Sequence, residues 1–203
     1  MSRRGFAHGF RATLLGCTLA GPVGAADADR ALEIVQGKCF VCHGADGESS
    51  SPVFPRLAGQ HAGYIARQLA DYRSGRRKSD TMRPMVDDLT PEDFAALGRY
   101  FESRPPHAHP VADADLAQVG RFIYVRGNPY SGVPPCAGCH GPKAHGTEQL
   151  PRLAGQHATY VENQLKKFNT RERTNDNAVM HSVASQLTEL ETKAVSAYVA
   201  GLK

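Results

Sequence analysis

The chain has 203 residues, of which 41% are hydrophobic, and a formal net charge of +4 at pH 7, a composition typical of a globular protein. Three of its 24 basic residues and none of its 20 acidic residues lie in the first 26 positions, so the remainder is almost neutral. This balance argues against a nucleic-acid-binding protein, because such proteins need a dense basic face.

The first 26 residues have the pattern of an export signal. Three arginines precede a short apolar stretch at positions 12–20, and small residues then lead to Asp27. The apolar stretch is too short to span a bilayer, so we predict an exported protein whose signal peptide is removed. A twin-arginine signal and a lipoprotein signal ending at Cys17 remain open as alternatives to general secretion.

Two copies of Cys-x-x-Cys-His stand 97 positions apart. The first consists of Cys39, Cys42 and His43, and the second of Cys136, Cys139 and His140. In this motif each thiol adds across a vinyl group of haem, and the histidine supplies an axial nitrogen to the iron. A zinc site shared by the two cysteine pairs is the alternative, although zinc does not require a histidine after each pair. The sequence therefore predicts two covalently bound haem c groups.

The second half of the chain repeats the first half. The block Pro-Arg-Leu-Ala-Gly-Gln-His occupies positions 55–61 and recurs unchanged at 151–157, with further ordered matches on both sides. A proline-rich segment lies between the halves and cannot continue a helix. We predict a signal peptide over 1–26, a first domain over 27–104, a linker over 105–112 and a second domain over 113–203.

Each half carries signals for three helices, and neither carries the alternation typical of a sheet. We expect first helices over about 29–40 and 113–125, and middle helices that begin near positions 60 and 156. The last helices should begin after the capping residues Thr90 and Thr188, each followed by acidic residues. Gly37 and Gly120 hold comparable positions, where they would permit close approach of another helix. The predicted fold class is all-α.

Methionine is the ligand that we expect on the other side of each iron. Met82 lies 39 residues after His43, and Met180 lies 40 residues after His140. Both methionines precede a capping threonine by eight residues, whereas Met85 has no counterpart in the second half. A thioether would occupy the remaining coordination position of the iron and raise its reduction potential. We predict Met82 and Met180 as ligands; Met85 is the alternative to Met82, and simple core packing is the alternative for all three.

The axial histidines need an acceptor for their other ring nitrogen, and the carbonyls of Pro55 and Pro151 are our candidates. Arg56 and Arg152 follow these prolines and would either pair with haem propionates or face solvent. Six further histidines are interpreted as non-ligands of iron, namely His61, His107, His109, His145, His157 and His181.

These features together resemble the dihaem cytochrome c4 family. The two motifs, the repeated block, Met82 and Met180 carry the resemblance, which covers about 28–203. It implies two tandem class I cytochrome c domains related by a pseudo-two-fold axis, with haem propionates near the domain interface. It also implies a bacterial periplasmic electron carrier between a quinol-oxidising complex and a terminal oxidase or reductase.

We expect a monomeric carrier rather than an enzyme, because six-coordinate irons transfer electrons and leave no position for a substrate. Its partners would be a redox donor and a redox acceptor, and peripheral membrane association stays open. The basic residues at 76–78 would then dock an acidic partner or form a solvated loop. The alternative function is a dihaem subunit of a larger oxidoreductase, such as a sulfide-oxidising flavocytochrome; a haem enzyme with an open iron is a third.

Overall fold

The computed structural model describes residues 23–203, so positions 1–22 of the predicted signal peptide, including Cys17, lie outside the described residues. Within them the chain forms ten α-helices: α1 (Val23–Ile34), α2 (Phe40–His43), α3 (Ala62–Ser74), α4 (Arg83–Val86), α5 (Pro91–Glu102), α6 (Ala114–Arg126), α7 (Ala137–His140), α8 (Ala158–Asn169), α9 (Val179–Ala184) and α10 (Glu189–Ala200). The strand-like pairing in this range is one isolated bridge. The all-α prediction is confirmed. None of these helices is long and apolar enough to cross a membrane.

In the first half, α1 continues through a π-helical segment, Val35–Cys39, directly into α2. The first Cys-x-x-Cys-His motif therefore ends one long helix, which extends beyond the predicted range of 29–40 at both ends. α1 packs against α5, which in turn packs against α3. Ala31, Ile34 and Phe101 belong to the buried core that these helices share.

The second half has the same plan with a different approach to its motif. α6 crosses α10 closely, and a Cβ added at Gly120 would collide with the backbone carbonyl of Ala194. Gly37 has no such neighbour within 4 Å, so its predicted role in close approach was wrong. The reason is a longer connection in the second half: α6 ends at Arg126, and a loop separates it from α7, so the two glycines are not equivalent.

The last helix of each half begins where the capping pattern predicts. The Thr90 hydroxyl accepts from the Asp93 amide, and the Asp93 carboxylate accepts from the Thr90 amide. Thr188 and Glu191 form the same reciprocal pair. Each capping box satisfies amides that would otherwise lack a partner at the helix N-terminus.

Two buried glutamines join the halves by reciprocal contacts. The Gln60 side chain donates to the Arg152 carbonyl at 3.0 Å and accepts from the Arg152 amide at 2.9 Å. Gln156 makes the same two contacts with the backbone of Arg56, both at 2.9 Å. Because repeat-related residues exchange identical contacts, the interface has the pseudo-two-fold symmetry that the family resemblance implies.

Arg77 also belongs to this interface, which corrects the sequence-based interpretation of the basic run. It is buried, and it donates to Gln68 of its own half and to Tyr160 and Gln164 of the other half, at 2.8–2.9 Å. Burial opposes its charge, but the surrounding tyrosine oxygens raise the pKa of Arg77 above its usual value. A planar guanidinium can donate to several acceptors at once, as Arg77 does here, whereas its neighbours at 76 and 78 are exposed.

Arg173 is the repeat counterpart of Arg77 and mirrors its contacts. It donates to Tyr64 at 3.1 Å and to Gln68 at 3.0 Å, both in the first half. Each arginine lies 13 residues after the repeated tyrosine of its own half, Tyr64 or Tyr160, a regularity that was visible in the sequence. The predicted linker over 105–112 lies between α5 and α6; the exact domain limits stay predictions.

Candidate haem sites

The first cysteine of each motif, Cys39 or Cys136, packs against the core of its own half. All four thiols are free; Cys139 is exposed and the other three are half-buried. Burial raises the pKa of Cys39 and Cys136 to about 11, so these thiols stay protonated at neutral pH. Within residues 23–203 no cysteine joins a group of side chains able to hold a metal ion. The two cysteine pairs therefore do not come together as a shared zinc site in this structure.

The two motif histidines are buried and oriented in the same way. Nδ1 of His43 lies 2.9 Å from the Pro55 carbonyl oxygen, and Nδ1 of His140 lies 3.3 Å from the Pro151 carbonyl oxygen. A carbonyl can only accept, so Nδ1 carries the proton and Nε2 keeps its lone pair. Burial lowers the pKa of both rings. A neutral imidazole with a free Nε2 is the form that binds iron, and the predicted role of the two prolines is confirmed.

After each motif histidine the chain turns back and brings the proline carbonyl to the histidine ring. Gly44 and Gly141 end the motif helices with φ values of 75° and 79°, a conformation that side chains with a Cβ rarely adopt. Farther on, the Gly47 carbonyl accepts from the Leu57 amide, which fixes the return of the chain in the first half. The second half closes with an equivalent contact from the Leu153 amide to the Ala144 carbonyl.

Met82 and Met180 occupy matching places in the two halves. Each packs against the buried core of its own half, Met82 immediately before α4 and Met180 inside α9. We expected non-regular segments at both positions: Met82 does lie in a turn, whereas Met180 lies within a short helix. Met85 is 38% exposed, whereas Met82 is partly buried against the core, which favours Met82 over Met85. Ligation of iron by Met82 and Met180 stays a prediction.

The backbone before Met180 is held in an unusual conformation that sequence reasoning missed. Asn177 and Ala178 have positive φ values of 52° and 66°, which are uncommon for residues with a Cβ. The Asp176 carboxylate accepts from the Ala178 amide at 3.2 Å and from the His181 amide at 2.8 Å. Asp176 therefore fixes the turn that starts α9 and positions Met180.

Arg56 and Arg152 fit the carboxylate groups of a haem. Nε of Arg152 is buried without a hydrogen-bond partner, and Nε of Arg56 reaches the Glu48 carboxylate only at 3.4 Å. Burial lowers the pKa of both arginines, and Glu48 offsets this only in part. Half-buried guanidinium groups with unused donors are suited to propionates, so the propionate interpretation is favoured over the solvated one.

Three of the remaining histidines contact backbone carbonyls through their rings. Nε2 of His61 lies 2.8 Å from the His145 carbonyl, and Nε2 of His157 lies 2.8 Å from the Ser49 carbonyl, so both rings bridge the two halves. Nδ1 of His181 faces the Phe168 carbonyl at 2.9 Å. These contacts agree with a structural role for His61 and His157 and with the interpretation of all three as non-ligands of iron.

Comparison with known proteins supports the organisation of the chain as two tandem domains. The family model of cytochrome c matches residues 28–105 and again 134–203. Cytochrome c4 of Thiocapsa roseopersicina is 42% identical over 170 residues, which cover 82% of this chain and 88% of that protein. The thiosulfate dehydrogenase electron acceptor of Thiomonas intermedia is 35% identical over 167 residues, covering 80% and 77%. The crystal structure of reduced recombinant cytochrome c4 from Pseudomonas stutzeri matches with a TM-score of 0.81 at 36% identity, covering 87% of this chain and 98% of that one.

Proposed function

This chain belongs to the dihaem cytochrome c4 family, and on that premise we propose that it carries electrons between a quinol-oxidising complex and a terminal oxidase or reductase in the bacterial periplasm. It is a dihaem electron-transfer cytochrome with two covalently bound haem c groups. The observation that carries the proposal is the pair of buried histidines, each with Nδ1 on a proline carbonyl and an unprotonated Nε2, directly after a Cys-x-x-Cys pair. Each haem, when bound, supplies a one-electron couple.

The side chains of each half have separate roles in this proposal. Cys39 and Cys42 would attach the first haem, and His43 and Met82 would bind its iron. In the second half Cys136 and Cys139 would attach the haem, and His140 and Met180 would bind the iron. With each iron bound by two protein side chains, no position would be left for a substrate, so the chain would act as a carrier rather than an enzyme.

The organisation of the chain follows from the same premise. Export by a signal peptide over 1–26 would bring the chain to the compartment where haem is attached. Domains over 27–104 and 113–203 each hold one haem, and the residues over 105–112 connect them. We propose a monomer, with the donor and the acceptor as its protein partners.

A second function is favoured by one comparison. The relative from Thiomonas intermedia is named as the electron acceptor of a thiosulfate dehydrogenase. By analogy, this chain would accept electrons from a sulfur-oxidising enzyme, which is close to the subunit role considered from the sequence. Reduction of the purified cytochrome by a thiosulfate-oxidising enzyme, compared with reduction by a quinol-oxidising complex, separates the two donors.

A redox titration of the holoprotein with optical monitoring tests the proposal. Two haems per chain and a sulfur-to-iron charge-transfer band from each are expected. Met82→Ala should remove this band from one haem only, whereas Met85→Ala, three positions away and more exposed, should leave both bands unchanged. Rapid carbon monoxide binding by the untreated ferrous protein would show an open iron and contradict the carrier role.

A further inference from the structure

A histidine and two glutamates converge where the two halves meet. His61 is the residue before α3, Glu102 is the last residue of α5, and Glu148 lies between α7 and α8 in the second half. One potential ligand atom from each side chain lies within 4.8 Å of the others. No other group of three His, Cys, Asp or Glu side chains comes this close together within the described range, 23–203.

The His61 ring is oriented by a group outside this cluster. Its Nε2 lies 2.8 Å from the His145 carbonyl, which can only accept, so Nε2 carries the proton of the neutral ring. The lone pair on Nδ1 then faces Glu102 at 3.8 Å and Glu148 at 4.0 Å. A cation bound between the Nδ1 lone pair and the two carboxylates would relieve their mutual repulsion. Donation of the second ring N–H to a carbonyl is also the usual arrangement of a metal-bound histidine.

Both carboxylates are held in place by backbone amides at the start of α3. Glu102 accepts from the Ala62 amide at 3.1 Å, and Glu148 accepts from the Gly63 amide at 2.9 Å. A Cβ at position 63 would lie 2.5 Å from Glu148 Oε2, so glycine makes room for this approach. A carboxylate has about four lone-pair sites, and one amide contact leaves the others available.

We propose that His61, Glu102 and Glu148 bind a divalent cation of the Zn²⁺ type. One imidazole and two carboxylates form a donor set that suits Zn²⁺ and balances its charge. Two bonds of about 2.0–2.1 Å at a tetrahedral angle separate their ligand atoms by roughly 3.3 Å, so the side chains would close slightly on binding. Since Glu148 comes from the second half and the other two ligands from the first, the ion would connect the halves.

The second half provides an internal comparison. His157 is the repeat counterpart of His61, and its Nε2 makes the equivalent contact with the Ser49 carbonyl at 2.8 Å. The second half has Thr159 where the first has Gly63, and Ala200 where the first has Glu102. The histidine contact between halves is thus present twice, whereas the carboxylates that complete the site accompany His61 alone.

Calorimetric titration with Zn²⁺ tests the proposal, using tag-free protein that retains both haems and has been freed of other metal ions. One ion per chain is expected to bind. His61→Gln and Glu148→Gln should each weaken binding by about 10-fold or more, as even outer-shell changes at metal sites do. His157→Gln, which removes the same kind of interface contact, should leave the affinity unchanged. Gly63→Thr, which copies the second half, should also weaken binding by displacing the Glu148 carboxylate.

Two further measurements separate loss of the site from loss of the fold. The haem absorption spectrum and far-UV circular dichroism should match the wild type in every variant. Zn²⁺ should raise the unfolding midpoint of the wild type, and this rise should be absent in Glu148→Gln. No uptake of Zn²⁺, or uptake that is the same in the wild type, His61→Gln and Glu148→Gln, would overturn the proposal.

Discussion

The reciprocal glutamine contacts predict how strongly the two halves depend on each other. Gln60→Leu removes the donor and the acceptor that pair with the Arg152 backbone at 3.0 and 2.9 Å, and leaves that amide and carbonyl at the interface. Two net hydrogen bonds at about 1 kcal/mol each give a loss of about 2 kcal/mol in the free energy of unfolding. The loss rises to about 4 kcal/mol where water cannot reach the abandoned backbone groups.

Guanidinium chloride unfolding of the holoprotein, followed by far-UV circular dichroism, measures this loss. Gln156→Leu should cost a similar amount, because it breaks the symmetry-related contacts with Arg56. Gln118→Leu, at an exposed position on α6, is the matched control and should change stability by less than about 0.5 kcal/mol. If Gln60→Leu were no less stable than this control, the glutamine contacts would not hold the halves together.

Three other predictions follow from local geometry. Gly120→Ala should destabilise the protein by about 1–3 kcal/mol, because the added methyl group meets the Ala194 carbonyl. Gly37→Ala is the control and should not destabilise the protein, because the space around Gly37 is open. Equal thermal unfolding midpoints for the two variants would contradict the close crossing of α6 and α10. Asp93→Asn should lose about 1 kcal/mol at pH 7, since it removes the carboxylate of a capping box and its contact with Arg30. Burial opposes ionisation of Asp93, but its contacts with the Thr90 amide and with Arg30 together lower its pKa below 3.8. This stabilisation should therefore be complete above pH 3.8 and disappear as the pH falls through the lower pKa of the folded state. A stability advantage of the wild type over Asp93→Asn that grew on acidification would refute the assignment.

Local features of this protein were predictable because their causes lie within a few residues of one another. The capping residues Thr90 and Thr188 begin helices as expected, since the threonine and the acidic residue that it pairs with are three positions apart. The histidine–proline contacts were predictable for a related reason: duplication placed the same proline at a similar distance after each motif. The start of the first helix, the short helices near Met82 and Met180, and the unequal roles of Gly37 and Gly120 were not.

The interface is where reasoning from the sequence failed most clearly. Arg77 lies in a basic run that has the composition of a surface loop, yet its guanidinium is buried against Tyr160 and Gln164. Its partners lie 83 and 87 positions away, so nothing near Arg77 in the chain indicates them. The matching position of Arg173 was the available signal, because a repeated arginine at the same distance from a repeated tyrosine suggests a shared structural role.

The sequence by itself determined the cofactor and the plan of each half. Covalent haem attachment, the axial histidine and helix capping all depend on residues that are close together in the chain, and a duplicated pattern shows them twice. Only the tertiary structure decided how the two copies face each other, because side chains 80 to 110 positions apart meet there. That packing buries Arg77 and Gln60 and gathers His61, Glu102 and Glu148 at one point. Contacts between distant segments depend on the relative placement of whole helices, which no local pattern of residues specifies.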